Sequence, residues 1–428
     1  MIRQDALHER GEYFPTTKFR NARNAMSSEG TKSGAKPRRR WFQYSLRSLM
    51  VFVTVTCIAL GWFTARMRRA RTQREAVATI EAEGGRVLYE YDYRVHEKNA
   101  GRTWSEYSAE LGHPPTPKWL RDLLGDDFFA TVASVRDLRA DDARLEELAR
   151  CFPDLERLFV SLAPGPCTPL SAGSGTPPGR ETQIAPKGRI SGAGLRHLWG
   201  LPGLKTFGIQ PDEAEVGIED QALRNIEGLT HLESFFFFGP VADPELEHVS
   251  KLRNLRVLQI AWVEAPFSLA HLPDLTDLRE LYLENVRLTD AAFGKIAQLP
   301  RLRTLALTNT PMNDARIEHL TALRELRQLS LSGYGRVTRA GLERLCALAG
   351  LQELDLYGTS VREFQDDDVM CLGNLRELRV LVLPDSVTAA GIAALRRALP
   401  NCHITNAPRC DDEVPSDCRR VFYFWGVY

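Results

Sequence analysis

A leucine motif that recurs about every 24 residues constrains the fold of this chain more than any other feature. The motif is L-x-x-L-x-L, and from residue 204 onward its leading leucines are 28, 23, 23, 24, 24, 25, 27 and 21 residues apart. A nearly fixed period of this length indicates one supersecondary unit repeated along the chain. The copies begin at Leu155, Leu204, Leu232, Leu255, Leu278, Leu302, Leu326, Leu351, Leu378 and Leu399.

Each copy of the motif joins two periodicities. A short alternating segment such as LRELYL, from Leu278, is typical of a strand. The segment LTDAAFGKIAQLP (288–300) that follows has apolar residues at helical intervals. One such unit cannot bury its apolar side alone, whereas stacked units bury it continuously. The sequence therefore predicts an α/β solenoid with a parallel sheet on its concave wall and helices on its convex wall.

The helix starts LTDAAF (288–293), VTRAGL (337–342) and VTAAGI (387–392) resemble the bacterial leucine-rich repeat with a T-D-A-G-L signature. With the leader RRRWFQYSLRSL (38–49), the chain resembles bacterial single-pass membrane leucine-rich-repeat proteins. The resemblance implies a leucine-rich-repeat solenoid of about nine or ten repeats behind an N-terminal transmembrane helix, and a role in protein recognition. It implies no catalytic residues.

The chain departs from the commonest repeat after the strand. That repeat has an asparagine there, where this chain has Val286, Thr310 and Thr359. A threonine hydroxyl can replace part of an asparagine ladder, whereas a valine cannot.

Residues 48–65, SLMVFVTVTCIALGWFTA, contain no charged side chain and are long enough to span a bilayer as a helix. With the aromatic residues at its ends, the predicted membrane segment covers residues 44–65. A cleaved signal peptide is the alternative, because residues 59–61 (ALG) form a small-x-small site. Five arginines between 66 and 74 disfavour cleavage there. Six positive charges precede the span, and this small excess favours an extracytoplasmic solenoid.

Charge and composition divide the chain into five parts. Residues 1–74 carry 16 Lys and Arg against 4 Asp and Glu, so a basic N-terminal part precedes an acidic body. The predicted parts are a disordered basic leader (1–37, starting at Met1 or Met26), the anchor with its basic flanks (38–72), an α/β cap (73–131), the solenoid (132–405) with a flexible insertion (161–188), and a tail (406–428). In the tail, Cys410 and Cys418 form a disulfide only in an oxidising compartment.

Common catalytic and phosphate-binding signatures are absent from the sequence, so we expect neither enzymatic activity nor a cofactor. His197, His248, His271 and His319 each lie seven residues before the next leading leucine, which favours an inherited helix position over a metal site. The run 366–368 (DDD) is interpreted as a helix start, not a calcium loop. An acidic body also disfavours nucleic acid as a partner.

The segment ESFFFFGP (233–240) gives the repeats a register. Because strand side chains alternate between faces, Phe235 and Phe237 are predicted to enter the core while Phe236 and Phe238 stand on the concave face. Exposed aromatic side chains on a rigid concavity are typical of recognition sites. Either a partner or the chain's own insertion (161–188) covers these rings. The predicted protein-binding residues are Phe159, Phe236, Phe238, Trp262, Tyr282, Glu284 and Tyr357.

Two functions remain compatible with the sequence. The first is a membrane-anchored module that binds a protein or peptide on its concave face. The alternative is an envelope structural protein that acts by self-association. Neither hypothesis identifies the ligand or the biological process.

Overall fold

The computed structural model describes residues 46–91, 116–162, 190–211, 222–239, 246–333, 335–357 and 364–406. The leader (1–37), all but the first two residues of the insertion (161–188) and all but the first residue of the tail (406–428) lie outside this described part, as do Thr359, Cys410 and Cys418.

Among the described residues, twelve strands form one sheet in the order β1-β2-β3-β4-β5-β6-β7-β8-β10-β12-β13-β14, and β9 pairs with β11 in a second, two-stranded sheet. Of these described strands, only β1 is antiparallel to its neighbour. The strands are β1 Arg86–Tyr89, β2 Val132–Arg139, β3 Arg157–Leu162, β4 Thr206–Pro211, β5 Ser234–Phe238, β6 Val257–Phe267, β7 Glu280–Leu288, β8 Thr304–Thr308, β9 Met312–Asn313, β10 Gln328–Ser330, β11 Gly335–Arg336, β12 Glu353–Asp355, β13 Val380–Val382 and β14 His403–Thr405.

Helical segments return the chain from one strand to the next. The α-helices are α1 Leu46–Ala82, α2 Lys118–Leu124, α3 Asp142–Cys151, α4 Gly192–His197, α5 Leu246–Val249, α6 Asp290–Ile296, α7 Asp314–Leu320, α8 Arg339–Leu345, α9 Asp366–Val369 and α10 Ala389–Ala398. Five 3₁₀ segments complete the described set: Asp126–Phe128, Leu198–Gly200, Ala222–Gly228, Leu272–Asp274 and Met370–Asn374.

The repeat leucines explain why the strands stack in register. The second leucine of each motif pairs with its counterpart on the next strand, as Leu258 does with Leu281 and Leu281 with Leu305. These three side chains are fully buried. Burial of one such layer per repeat produces a continuous apolar core. The body of the chain is therefore a leucine-rich-repeat solenoid, with its parallel sheet on the concave face and its helices on the convex face.

The helix α1 contains the predicted membrane segment. It runs without a break from Leu46 to Ala82, so the expected boundary between anchor and cap at residues 72 and 73 lies inside one helix. By length and composition, α1 is long and apolar enough to cross a membrane, and its apolar stretch is unburied. A signal sequence meets the same criteria.

The N-terminal cap covers the open edge of the first parallel strand. β1 pairs with β2, and Ala76, Val77 and Ile80 of α1 join the solenoid core. Helix α2 has apolar residues at helical spacing, yet its Trp119 and Leu123 side chains are exposed, at 67% and 71%. A seven-residue helix has too few positions for apolar spacing alone to show which face is buried.

Neighbouring repeats are joined on the helical side by a carboxylate. Asp314 at the start of α7 accepts hydrogen bonds from the backbone N–H of Thr338, at 2.8 Å, and from its hydroxyl. Asp142 and Asp366 accept the same pair of bonds from Ser191 and Thr388. These bonds from Thr388 lower the pKa of Asp366. The run 366–368 thus begins helix α9, and its Asp366 also contacts the next repeat.

A glycine makes room for each of these carboxylates. A Cβ on Gly341 would overlap Asp314 Oδ1 and would lie 3.0 Å from Val337 Cγ1. We expect Gly341→Ala to lower the free energy of unfolding by about 1–3 kcal/mol, because the overpacked contact must shift. The matched control is Gly294→Ala in α6, where a Cβ meets nothing within 4 Å.

That control is expected to raise stability by up to about 1 kcal/mol, since alanine is the better helix former. Urea unfolding of both variants, followed by circular dichroism, measures the two shifts. Equal shifts of the same sign would contradict the role of Gly341 in docking the carboxylate.

Candidate functional site

The four phenylalanines of β5 divide between the two faces of the sheet. Phe235 and Phe237 are 1% and 3% exposed and belong to the solenoid core, which confirms their predicted register. Phe236 has the opposite orientation and pairs in register with Gly208 on β4 and Gln259 on β6. Phe236 therefore stands on the concave face.

A row of concave-face side chains runs through Phe236 across seven adjacent strands. Each position is the register partner of the next, from β5 to β13. We call this row the central column. Each member is 8% exposed or less: Phe236, Gln259, Tyr282, Ala306, Ser330, Asp355 and Val382.

Two of the predicted aromatic side chains are buried, not exposed. Phe236 is 4% exposed and Tyr282 is 7% exposed, and the predicted site residue Glu284 is also 7% exposed. Strand alternation gives the face on which a side chain stands, but not whether another part of the protein covers that face. These three side chains of the concave face are therefore buried.

Two predicted residues meet at the N-terminal end of the concave face. The ring of Phe159 lies over Gly208, where a Cβ would overlap it, and its centroid is 5.4 Å from that of Phe236. The guanidinium carbon of Arg136 lies 5.4 Å from the centroid of the Phe159 ring, which belongs to β3. Gly208 allows this contact because only a residue without a side chain leaves the space between the two rings. The result is a half-buried cluster with a cation at its edge.

A cavity of about 270 Å³ adjoins this cluster. Its walls include Glu83, Asp137, Arg139, Phe159 and Gln210. The lining combines both signs of charge with one aromatic ring. It extends the N-terminal end of the concave face toward the end of α1.

Trp262 differs from the other predicted residues in both exposure and backbone. It lies inside β6 and is 52% exposed, with φ at 66°. Asn285 and Asn309 occupy the same position in the next two repeats, with φ near 51° and 52°. Gly239 and Gly333, in the repeats on either side, also have positive φ.

Tryptophan is energetically unfavourable at this repeat position. A left-handed backbone costs a side chain with a Cβ roughly 1–2 kcal/mol, and glycine and asparagine tolerate it best. A bulky residue kept in that conformation with half its surface exposed is a candidate functional residue. This strain was not predictable from the residue type, because tryptophan has no preference for positive φ.

Acidic side chains lie on β7 and β12 of the concave face. The Tyr282 hydroxyl donates to Glu280 Oε2 at 3.0 Å, and burial followed by the nearby charge of Glu280 raises the pKa of Tyr282. Glu353 and Asp355 on β12 are 4% and 8% exposed. Gln328 donates to Glu353 Oε1 at 3.1 Å. Buried carboxylates require donors or cations around them.

A second apolar cluster lies at the C-terminal end of the concave face. Val380 and Val382 are 0% and 1% exposed and form a group separate from the main core, with Tyr357 packed against it. The backbone N–H of Tyr357 donates to Asp355 at 2.9 Å. Tyr357 is therefore about five strand spacings, or roughly 24 Å, from Phe236.

The structure brings together some of the predicted residues and separates others. Phe159 and Phe236 touch, and half-buried Phe238 pairs with Ala261, which in turn pairs with Glu284. Sequence reasoning missed Gly208, Gln259 and Val380 as members of the site. Gly208, a glycine inside a strand, was the one available signal, because such a residue often marks close approach of another group.

The histidine positions show local pairing. His248 Nδ1 lies 2.7 Å from Glu227 Oε1, and His271 Nδ1 lies 3.9 Å from Asp274. Within the described ranges, no group of three or more His, Cys, Asp or Glu side chains is placed to hold a metal ion. Cys346 and Cys371 pack against the core, and Cys402 belongs to it.

No family model matches this sequence. No curated protein matches it either. Among solved structures, an internalin (InlF) from Listeria monocytogenes aligns at 18% identity and a TM-score of 0.41, covering 61% of this chain and 70% of that one. A leucine-rich-repeat protein of Leptospira interrogans aligns at 18% identity and a TM-score of 0.34, covering 50% and 57%.

A TLR13–ssRNA13 complex aligns at 15% identity and a TM-score of 0.40, covering 60% of this chain and 34% of that one. These likenesses carry no functional conclusion. The fold assignment stands on the strand order and the repeat register described above.

Proposed function

We propose that this chain is a membrane-anchored module that binds a protein or peptide segment on its concave face. The anchor is the apolar part of α1, and the small excess of positive charge before it favours an extracytoplasmic solenoid. The ligand lies along the sheet between the Phe159 and Phe236 cluster and the carboxylates of β7 and β12. This role needs no catalytic group.

Trp262 carries this proposal. Among the predicted site residues, it is the aromatic side chain that is exposed. Its backbone has a positive φ, and the equivalent positions of neighbouring repeats have asparagine or glycine in that conformation. Large aromatic side chains supply much of the energy of protein interfaces. Retention of a strained, exposed tryptophan beside the concave face is explained if the ring contacts a ligand.

Trp262→Asn separates binding from stability. Because Asn285 and Asn309 accept the same left-handed backbone, we expect the variant to keep its stability or gain up to about 1 kcal/mol. We expect its capture of a partner to fall at least tenfold, since a ring of this size is lost from the interface. Cross-linking in the cells that make the full chain, then purification and mass spectrometry, measures capture.

The matched control for this variant is Trp119→Asn, which removes an equally large exposed ring from α2 in the cap. Capture should be unchanged in this control. If capture survives Trp262→Asn, or if both variants lose it equally, the assignment of the concave face is wrong.

A further inference from the structure

Two cysteines from consecutive repeats meet on the convex side of the solenoid. Cys346 follows the last residue of α8, and Cys371 lies in the 3₁₀ segment Met370–Asn374 of the next repeat. The thiol of Cys346 donates to the backbone oxygen of Cys371, with Sγ 3.1 Å from that oxygen. The thiol of Cys371 donates to the backbone oxygen of Asp368, at 3.5 Å. The side chain of Cys346 therefore reaches Cys371 across the boundary between two repeats.

The surroundings of this pair differ from those of a fully buried thiol. Both side chains pack against the main core and are half-buried. A hydrogen bond between the two thiols raises the pKa of Cys346 and lowers the pKa of Cys371. The positive charge of Arg339 also favours the thiolate of Cys371, and the negative charge of Glu343 opposes it. Cys371 is therefore the more reactive of the two, because the thiolate is the nucleophilic form.

The repeats that these cysteines join have short strands in the main sheet. Strands β10, β12, β13 and β14 have three residues each, whereas β6 and β7 have eleven and nine. Fewer backbone hydrogen bonds therefore connect the repeats in this half of the sheet. Each repeat of a solenoid is stabilised by its neighbours, so a boundary with fewer bonds opens more easily. A covalent link at this boundary adds stability where the strands contribute least.

We propose that Cys346 and Cys371 are a modification site, at which exchange with an external disulfide joins them in a disulfide bond. The thiolate of Cys371 attacks one sulfur of the external disulfide, so that a mixed disulfide forms and one external thiolate leaves. The thiol of Cys346 then loses its proton, and its sulfur attacks Cys371 Sγ and expels the second external thiolate. The two cysteines thus lose two protons and two electrons, and the external disulfide takes up both and becomes two thiols.

The disulfide stabilises the C-terminal repeats and leaves the concave face unchanged. It encloses the 24 residues 347–370 in a covalent loop, which restricts the unfolded chain. External disulfides and oxidised dithiols are available in the extracytoplasmic compartment that we propose for the solenoid. The exchange chemistry itself depends on neither the compartment nor the binding of a partner.

Treatment of the full chain with oxidised glutathione in detergent micelles tests the site. After free thiols are blocked with N-ethylmaleimide, peptide mass spectrometry should recover a linked pair of peptides that contain Cys346 and Cys371. In the variant Cys346→Ser, Cys371 should instead carry glutathione, because no second thiol is present to expel it. Cys151 is the reference: it is 6% exposed and burial raises its pKa to about 11, so it should remain a thiol.

Two further measurements on the unmutated chain do not depend on the folding of any variant. Limiting iodoacetamide should modify Cys371 at least fivefold faster than Cys346 in the reduced chain. Hydrogen exchange of the amides in residues 342–356 should slow at least tenfold on oxidation and recover with dithiothreitol. Recovery of both cysteines as thiols after oxidation, or with glutathione on each, overturns the proposal. No partner takes part in these measurements, so failure here does not bear on the effect of Trp262→Asn.

Discussion

Replacement of Phe235 by alanine is expected to lower the free energy of unfolding by about 3–5 kcal/mol. Phe235 is 1% exposed, and its ring stacks on Phe207 at a centroid distance of 6.1 Å and contacts Phe237 at 6.3 Å. Truncation removes the buried ring and leaves a cavity between two repeats that cannot close freely. Urea unfolding of the full chain in micelles, followed by circular dichroism, measures the loss.

Phe238→Ala is the matched control, because Phe238 lies three residues further along the same strand, on the concave face, and is half-buried. We expect that variant to lose about 1 kcal/mol. Equal losses for the two variants would mean that the strand is out of register by one residue, since such a slip exchanges the two faces.

The contrast between Phe235 and Phe236 shows how much of the fold the sequence determines. The leucine period predicts which strand positions face the core, because a buried layer must recur once per repeat. Phe235, Leu258 and Leu281 all follow that rule. The helical side is less predictable: the segments Ala222–Gly228 and Leu272–Asp274 form 3₁₀ turns, since such short segments owe their conformation to packing more than to propensity.

The sequence predicts which side chains share the concave face, but not how deeply each of them is buried. Alternation placed Phe236 and Tyr282 on the concave face, but it does not predict that both side chains are buried there. The left-handed backbone of Trp262 is set by its repeat position and overrides the preference of the residue itself. The periodicity therefore leaves open the burial of concave-face side chains and the backbone geometry that a repeat position imposes.

Replacement of Asp127 by alanine is expected to open the N-terminal cap. Asp127 is 7% exposed; its Oδ1 accepts from Gln73 Nε2 at 3.2 Å and from the Tyr89 hydroxyl at 2.8 Å, and its Oδ2 accepts from Arg74 Nε at 3.0 Å. Without the carboxylate, the amide of the buried Gln73 and the hydroxyl of the part-buried Tyr89 each lose a hydrogen-bond acceptor. Each such donor costs about 1–3 kcal/mol, so the local stability should fall by about 2–5 kcal/mol.

Hydrogen exchange of the amides in residues 70–80 measures this local opening, and its rate should rise about 30-fold or more, since each factor of ten corresponds to about 1.4 kcal/mol. Asp126→Ala is the control, because Asp126 is more exposed and lies 3.7 Å from Arg121. It should change exchange less than threefold. Tyr89→Phe in the Asp127→Ala background removes one stranded donor and should recover part of the loss. If it recovers nothing, the hydrogen bond from Tyr89 to Asp127 does not hold β1 against the 3₁₀ segment Asp126–Phe128.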